Sequence, residues 1–280
     1  MAHNNGARGP AFYFLAAFFA LFVAFLYGPM LIIFVLSFQG PTGGLTFPMR
    51  GISTHWFADL LSSSRYGDLG GAFQRSIMLG FLSMSITAVV CLFAGLAFRR
   101  KFWGAGPLFY LSIISLVIPG ILLGLGISQL FQLLGLHLHW WLSALGAHLS
   151  WTLPFGLLIM FAVLNRFDPS WEEAARDAGA TPRQILAYVT IPILFPGLIA
   201  VALFGFTLSY DELPRSLLTV GGLNTLPIEI SNMTTNVTTP ALYAIGTMTS
   251  ALSFLAITTA FIAIAVIQKR RARAHGDQAE

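Results

Sequence analysis

Residues 171–192 read WEEAARDAGATPRQILAYVTIP, a stretch in which acids, bases and small residues alternate. Long apolar runs flank it on both sides, so its role decides how the chain is read. Of the 280 residues, 56% are hydrophobic and 9% charged. Soluble domains carry roughly 25% charged residues, so composition alone places this chain in a membrane. Its 27 glycines suit packed spans, because glycine lets helix backbones approach closely. The net charge of +4 does not mark a nucleic-acid binder. The basic residues sit in short connections and tails, where they report topology. Cys91 is the single cysteine and lies inside an apolar run, where it reads as a small buried hydrophobe.

A span needs about 20 mostly apolar residues. Six segments qualify: Phe12–Leu36, Ser76–Phe98, Leu108–Leu134, Leu142–Val163, Ile191–Ser209 and Ala241–Ile267. The expected fold class is therefore all-α, a polytopic membrane protein with six transmembrane helices in one domain covering 1–280. The first span is too long for a cleaved signal segment and reads as an anchor. Pro29, Pro119, Pro154, Pro192 and Pro196 fall within or at the start of spans. Each removes a backbone donor and can kink its helix; at Pro119 and Pro154 packing geometry is the preferred reading. With the N-terminus inside, the inner segments hold eleven Lys and Arg residues, starting with Arg8. The outer ones hold four: Arg50, Arg65, Arg75 and Arg215. The positive-inside rule then puts both termini in the cytoplasm, together with the opening stretch between spans four and five.

Within that stretch, Ser170 stands three residues before Glu173, the spacing of a capping box. A helix of about two turns should follow, with Gly179 as its left-handed stop. Thr181, Pro182 and Gln184 repeat the device, with Thr181 as cap and Pro182 at the first helical position. A second helix should run from Pro182 towards Tyr188, and span five from about Pro192. Glu172, Glu173, Arg176 and Asp177 give the loop a charged surface, and Ala174, Ala175 and Ala178 a small one. This is the make-up of a docking knob. The plainer reading is a polar connector, and caps alone do not decide between the two.

Residue identity adds to this. Glu173-Ala174-Ala175, then Gly179, then Val189-Thr190-Ile191-Pro192 resembles the EAA motif of the binding-protein-dependent ABC importer permeases. That family's pattern ends in Ile-x-Leu-Pro, and this chain has Val189 and Ile191 in place of the Ile and the Leu, both conservative replacements. The resemblance extends over six spans, the loop of residues 164–190 and a basic tail, and implies the type I ABC importer permease fold. In that family the motif's first helix seats in a groove of the ATP-binding subunit. By resemblance, Glu173, Ala174, Ala175 and Gly179 take that role here; Glu172, Arg176 and Asp177 join them on their charge. The segment Ser209–Ser216, with Leu226-Pro227 and Thr239-Pro240, resembles the spermidine/putrescine-type permeases.

The resemblance implies a permease subunit in a bacterial inner membrane, importing a small polar solute such as a polyamine, a related amine or an opine-like compound. Its implied partners are an ATP-binding subunit dimer, a second permease subunit of different sequence, a periplasmic substrate-binding protein and the lipid bilayer. The chain has no Gly-x-x-x-x-Gly-Lys-Ser/Thr loop, so ATP and Mg belong to the partner, and this chain is expected to hold no cofactor, no metal and no catalytic residue. For the substrate path the candidates are Trp151, Tyr210, Asp211 and Glu212. The acids can attract a cation, or simply cap a helix end or pair with Arg215; Trp151 and Tyr210 can offer cation–π faces or act as interfacial anchors. His137, His139 and His148 match no standard metal spacing. The alternative function is a stand-alone secondary transporter or channel. It would need ionisable groups within the spans, where the sequence has almost none, and it would leave the loop unexplained.

Overall fold

The computed structural model describes residues 9–62 and 64–276. Arg8, one of the cations expected inside, lies outside the described residues. In chain order the helices are α1 (Pro10–Leu36), α2 (His55–Ser62), α3 (Leu69–Phe98), α4 (Ala105–Ile114), α5 (Gly120–Leu133) and α6 (Ser143–Leu164). They continue with α7 (Ser170–Asp177), α8 (Pro182–Ile185), α9 (Ile191–Tyr210), α10 (Leu226–Asn236) and α11 (Ala241–Gly276). Among the described residues the only strand-like pairing is a single antiparallel bridge, Gln39 with Ile52.

Among the described residues, five helical runs are long and apolar enough to cross a membrane: Pro10–Leu36, Leu69–Phe98, Ser143–Leu164, Pro182–Tyr210 and Ala241–Val266. They match five of the six expected spans, and the all-helical polytopic fold is as expected. The third span differs. It is broken into α4 and α5, with Ser115 closing the first and Pro119 opening the second. Proline lacks an N–H and disfavours a helical residue before it, so here it does more than kink. Pro29, Pro154 and Pro196 stay inside unbroken helices. The fifth span also starts earlier than expected. A π-helical turn at Leu186–Thr190 joins α8 to α9, so the run begins at Pro182 rather than near Pro192.

The chain forms two compact units. The first runs to Tyr66 and adds Met233–Ala251; the second comprises Gly67–Asn232 and the chain from Leu252 onward. In the first, the fully buried Gln39 organises the turn after α1. Its amide nitrogen donates to the carbonyl of Gly44 at 3.2 Å, and its amide oxygen accepts the Arg50 N–H at 2.7 Å. Helix α1 leaves its apolar side chains exposed along most of its length, Phe25 by 83%. A contiguous apolar surface of that size needs lipid or a partner chain to cover it.

In the second unit α3, α6 and α9 pack against one another. Cys91, Leu157, Met160, Leu194 and Val201 form their shared core. The helices meet through small residues. A Cβ on Gly156 would stand 2.7 Å from Cys91 Sγ and 2.8 Å from Thr87 Cγ2, and one on Gly205 would lie 3.1 Å from the Met84 backbone. Hydroxyls bond across the same seam, Thr87 with Thr152 at 2.9 Å and Ser83 with Thr152 at 3.3 Å. Lipid tails are as apolar as leucine, so close packing and interhelical hydrogen bonds must hold such helices together. Gly156→Leu should therefore lower stability by about 1–3 kcal/mol through overpacking. A reduced thermal unfolding midpoint in detergent is the check.

Candidate functional site

The loop of residues 164–190 folds onto the end of the α3–α6–α9 trio. Arg99 caps α3, and its guanidinium meets Glu172 in a forked pair, Nη1–Oε1 at 2.8 Å and Nη2–Oε2 at 3.1 Å. Thr190, one residue before α9, donates its hydroxyl to Glu172 Oε1 at 2.7 Å. The Arg99 guanidinium also lies 4.8 Å from the centre of the Phe167 ring. Phe167 is buried and meets Trp171 edge-on at 5.4 Å. Through these contacts α7 is tied to the ends of both α3 and α9. The Arg99 hydrogen bonds, with help from Thr190, hold the Glu172 carboxyl below its ordinary value.

The expected caps divide. Thr181 and Gln184 form the expected capping box, with Thr181 N–H donating to Gln184 Oε1 at 2.8 Å and Gln184 N–H to Thr181 Oγ1 at 3.4 Å. Gly179 takes the left-handed conformation, φ +82°. The Ser170–Glu173 box does not form. The helix starts one residue earlier than that box requires, with Pro169 at the cap position and Ser170 already helical. Asp168 Oδ1 accepts the Ser170 N–H at 2.9 Å instead, which holds the Asp168 carboxyl below its usual range. A proline φ near −60° suits the entry to a helix, and the aspartate before it does the capping.

The sequence-selected loop residues therefore split by orientation. Glu172 turns inward to Arg99, and Ala175 is half-buried. Glu173, Ala174, Arg176, Asp177 and Gly179 are exposed. A recess of about 510 Å³ opens beside them, lined by Ala97, Arg99, Arg100, Glu172, Arg176 and Ile185. Sequence reasoning missed Arg99 and Thr190. Thr190 lies inside the EAA-like pattern at its variable position, and Arg99 opens the basic triplet after span two.

The other candidates lie at the far end of α6 and α9. Glu212 and Arg215 are both buried and pair at 3.1 Å. Glu212 Oε1 also accepts the Arg215 backbone N–H at 3.1 Å. Arg215 lies 4.7 Å from the centre of the Trp151 ring, so it brings Trp151 and Glu212 together. Tyr210 is turned elsewhere, stacked on Phe206 at 5.8 Å. Asp211 is exposed at the end of α9. His148 is fully buried between two serines, Nδ1 with Ser209 at 2.8 Å and Nε2 with Ser216 at 2.9 Å. His139 instead stacks on Trp141.

The sequence pattern of the binding-protein-dependent transport system inner membrane components matches residues 87–273. The chain belongs to that family. Among its relatives, the putrescine transport system permease protein PotI of Escherichia coli K12 is 28% identical, over 80% of this chain and 81% of its own. The spermidine/putrescine transport system permease protein PotC of Haemophilus influenzae is 28% identical over 86% and 93%. Among solved structures, a bacterial alginate ABC transporter in complex with a pentasaccharide-bound periplasmic protein shares the fold with a TM-score of 0.65. It is 15% identical over 90% of this chain and 92% of that one. The MetNI methionine ABC transporter matches with a TM-score of 0.58, at 19% identity over 74% and 99%. This protein is thus a multi-pass permease of the ABC importer type.

Glu172→Gln removes the charge that Arg99 and Thr190 are arranged around. It should lower the permease's stability by about 1–2 kcal/mol, the range for a charge-assisted, partly buried pair. Because folding lowers this carboxyl, its contribution is present above the ordinary value of 4.5 and is lost as pH falls through the lowered one. Melting curves of wild type and Glu172→Gln should therefore converge in acid.

Proposed function

We propose that this permease couples import to ATP hydrolysis on a separate ATP-binding subunit dimer, and that the exposed face of α7 with Gly179 is the docking surface. The observation that carries this reading is the division of the loop. Glu172 holds the loop to the spans, Gly179 ends α7, and the side chains of Glu173, Ala174, Arg176 and Asp177 are left exposed. A short helix with small residues fits a groove, and its anchoring by Arg99 and Thr190 lets a push on the knob reach α3 and α9 as one body. ATP and Mg then reside on the partner, and this chain holds no cofactor.

In this reading the loop and both termini face the cytoplasm of a bacterial cell, supported by the distribution of Lys and Arg. A second permease subunit of different sequence completes the path, and a periplasmic binding protein delivers the solute. The solute is a small amine-bearing compound, a polyamine or an opine-like relative, supported by the functions named for PotI and PotC. Trp151, Tyr210, Asp211 and Glu212 contribute to its path, with Asp211 the acid free to meet a cation near the mouth.

Glu173→Arg reverses the charge on the outward face without touching the Arg99 pair. The ATP-binding subunits should then fail to copurify and uptake should fall to background, with the melting point unchanged. Retained copurification and normal uptake would reduce the loop to a connector.

A further inference from the structure

The break at Pro119 puts the start of a 14-residue helix, α5, in the middle of an apolar stretch, with no side chain capping it. A helix start carries positive potential and unpaired N–H groups. A further cation lies against it. A Cβ on Gly120 would stand 2.8 Å from Arg215 Nη1, and one on Gly124 would stand 3.1 Å from the Arg215 carbonyl oxygen. Both positions must be free of a side chain for Arg215 to lie there. The guanidinium covers the Trp151 ring at 4.7 Å.

Arg215 is 5% exposed and has one acidic partner. Glu212 offers Oε1 and divides it between Nη1 and the Arg215 backbone N–H. Two buried donors here have no acceptor, Arg215 Nε and Trp151 Nε1. Leaving a buried donor unpaired costs about 1–3 kcal/mol. A helix start and a guanidinium therefore meet where one carboxylate is already shared, and the ring under that guanidinium carries a buried, unpaired N–H. Half-helix starts near a bilayer's midplane are natural receptors for anionic groups.

We propose that the imported solute carries a carboxylate as well as an amine, and that Arg215, Trp151 and the start of α5 hold that carboxylate during passage. A carboxylate fits because its two oxygens match the free edge of a guanidinium. A monoanion fits because Glu212 already balances much of the local charge. This rests on the importer reading above and narrows its solute to an amino-acid-like compound, with the ammonium left for acids such as Asp211. Arg215 sets specificity, and Glu212 positions it.

The test is direct binding to the permease assembled with its partner subunits, without the binding protein, at up to millimolar ligand. The probes are labelled ornithine and putrescine, which share a diamine chain and differ by one carboxylate. Ornithine should bind about tenfold more tightly, the worth of one charge-assisted hydrogen bond. Trp151→Phe keeps the ring and removes the N–H; it should weaken ornithine several-fold more than it weakens putrescine. The double variant Arg215→Gln with Glu212→Gln leaves no lone buried charge and should abolish the preference. Equal affinities, binding of neither probe, or a preference that survives both variants would overturn the proposal. Absence of the ATP-binding subunits from the purified assembly would instead sink the importer reading, and the binding comparison is read on the permease in either case.

Discussion

Three helices that touch nearly backbone to backbone support the rest of the second unit. In water, apolar burial would hold α3, α6 and α9 together; in lipid that drive disappears, and shape must replace it. Gly156 and Gly205 provide the close approach, and the Thr87–Thr152 hydroxyl pair fixes the register. The loop after α6 inherits this rigidity. Its glutamate is held by a residue that ends α3 and another that precedes α9. A force on α7 is therefore shared among all three helices instead of being lost in a flexible connection.

The two ends of the trio use charge differently. At the loop, the Arg99–Glu172 pair is partly exposed, with side-chain exposures of 27% and 19%. Water screens such a pair, and its value is geometric as much as energetic. At the other end, Glu212 and Arg215 are both 6% exposed as side chains. A buried pair is a poor source of stability, since desolvation offsets most of its attraction. Its place beside a broken helix fits the ligand-holding role proposed for Arg215 better than a support for the fold.

Much of this was legible in the sequence. Five spans were set by apolar length, and the loop by its polarity and by Gly179, Thr181, Pro182 and Gln184. Local rules were enough there because each cap is satisfied within four residues. The Ser170 box failed because Asp168-Pro169 offered a competing start one residue earlier. The break at Pro119 was visible as a proline, but whether a helix bends or stops depends on its neighbours; Arg215 lies against the new start, 95 residues away in sequence. The Arg99–Glu172 clamp joins positions 73 residues apart. Such pairings belong to tertiary structure, and no periodicity announces them.

The π-helical turn at Leu186–Thr190 has an evolutionary consequence. A π turn holds one more residue than an α turn in the same helix. Losing one residue there would restore a plain α-helix and leave the downstream faces of α9 in phase with α3 and α6. The same loss elsewhere in α9 would rotate everything beyond it by about 100°. The turn is thus a seam at which the loop's length can drift between lineages while the buried helix surface stays as it is.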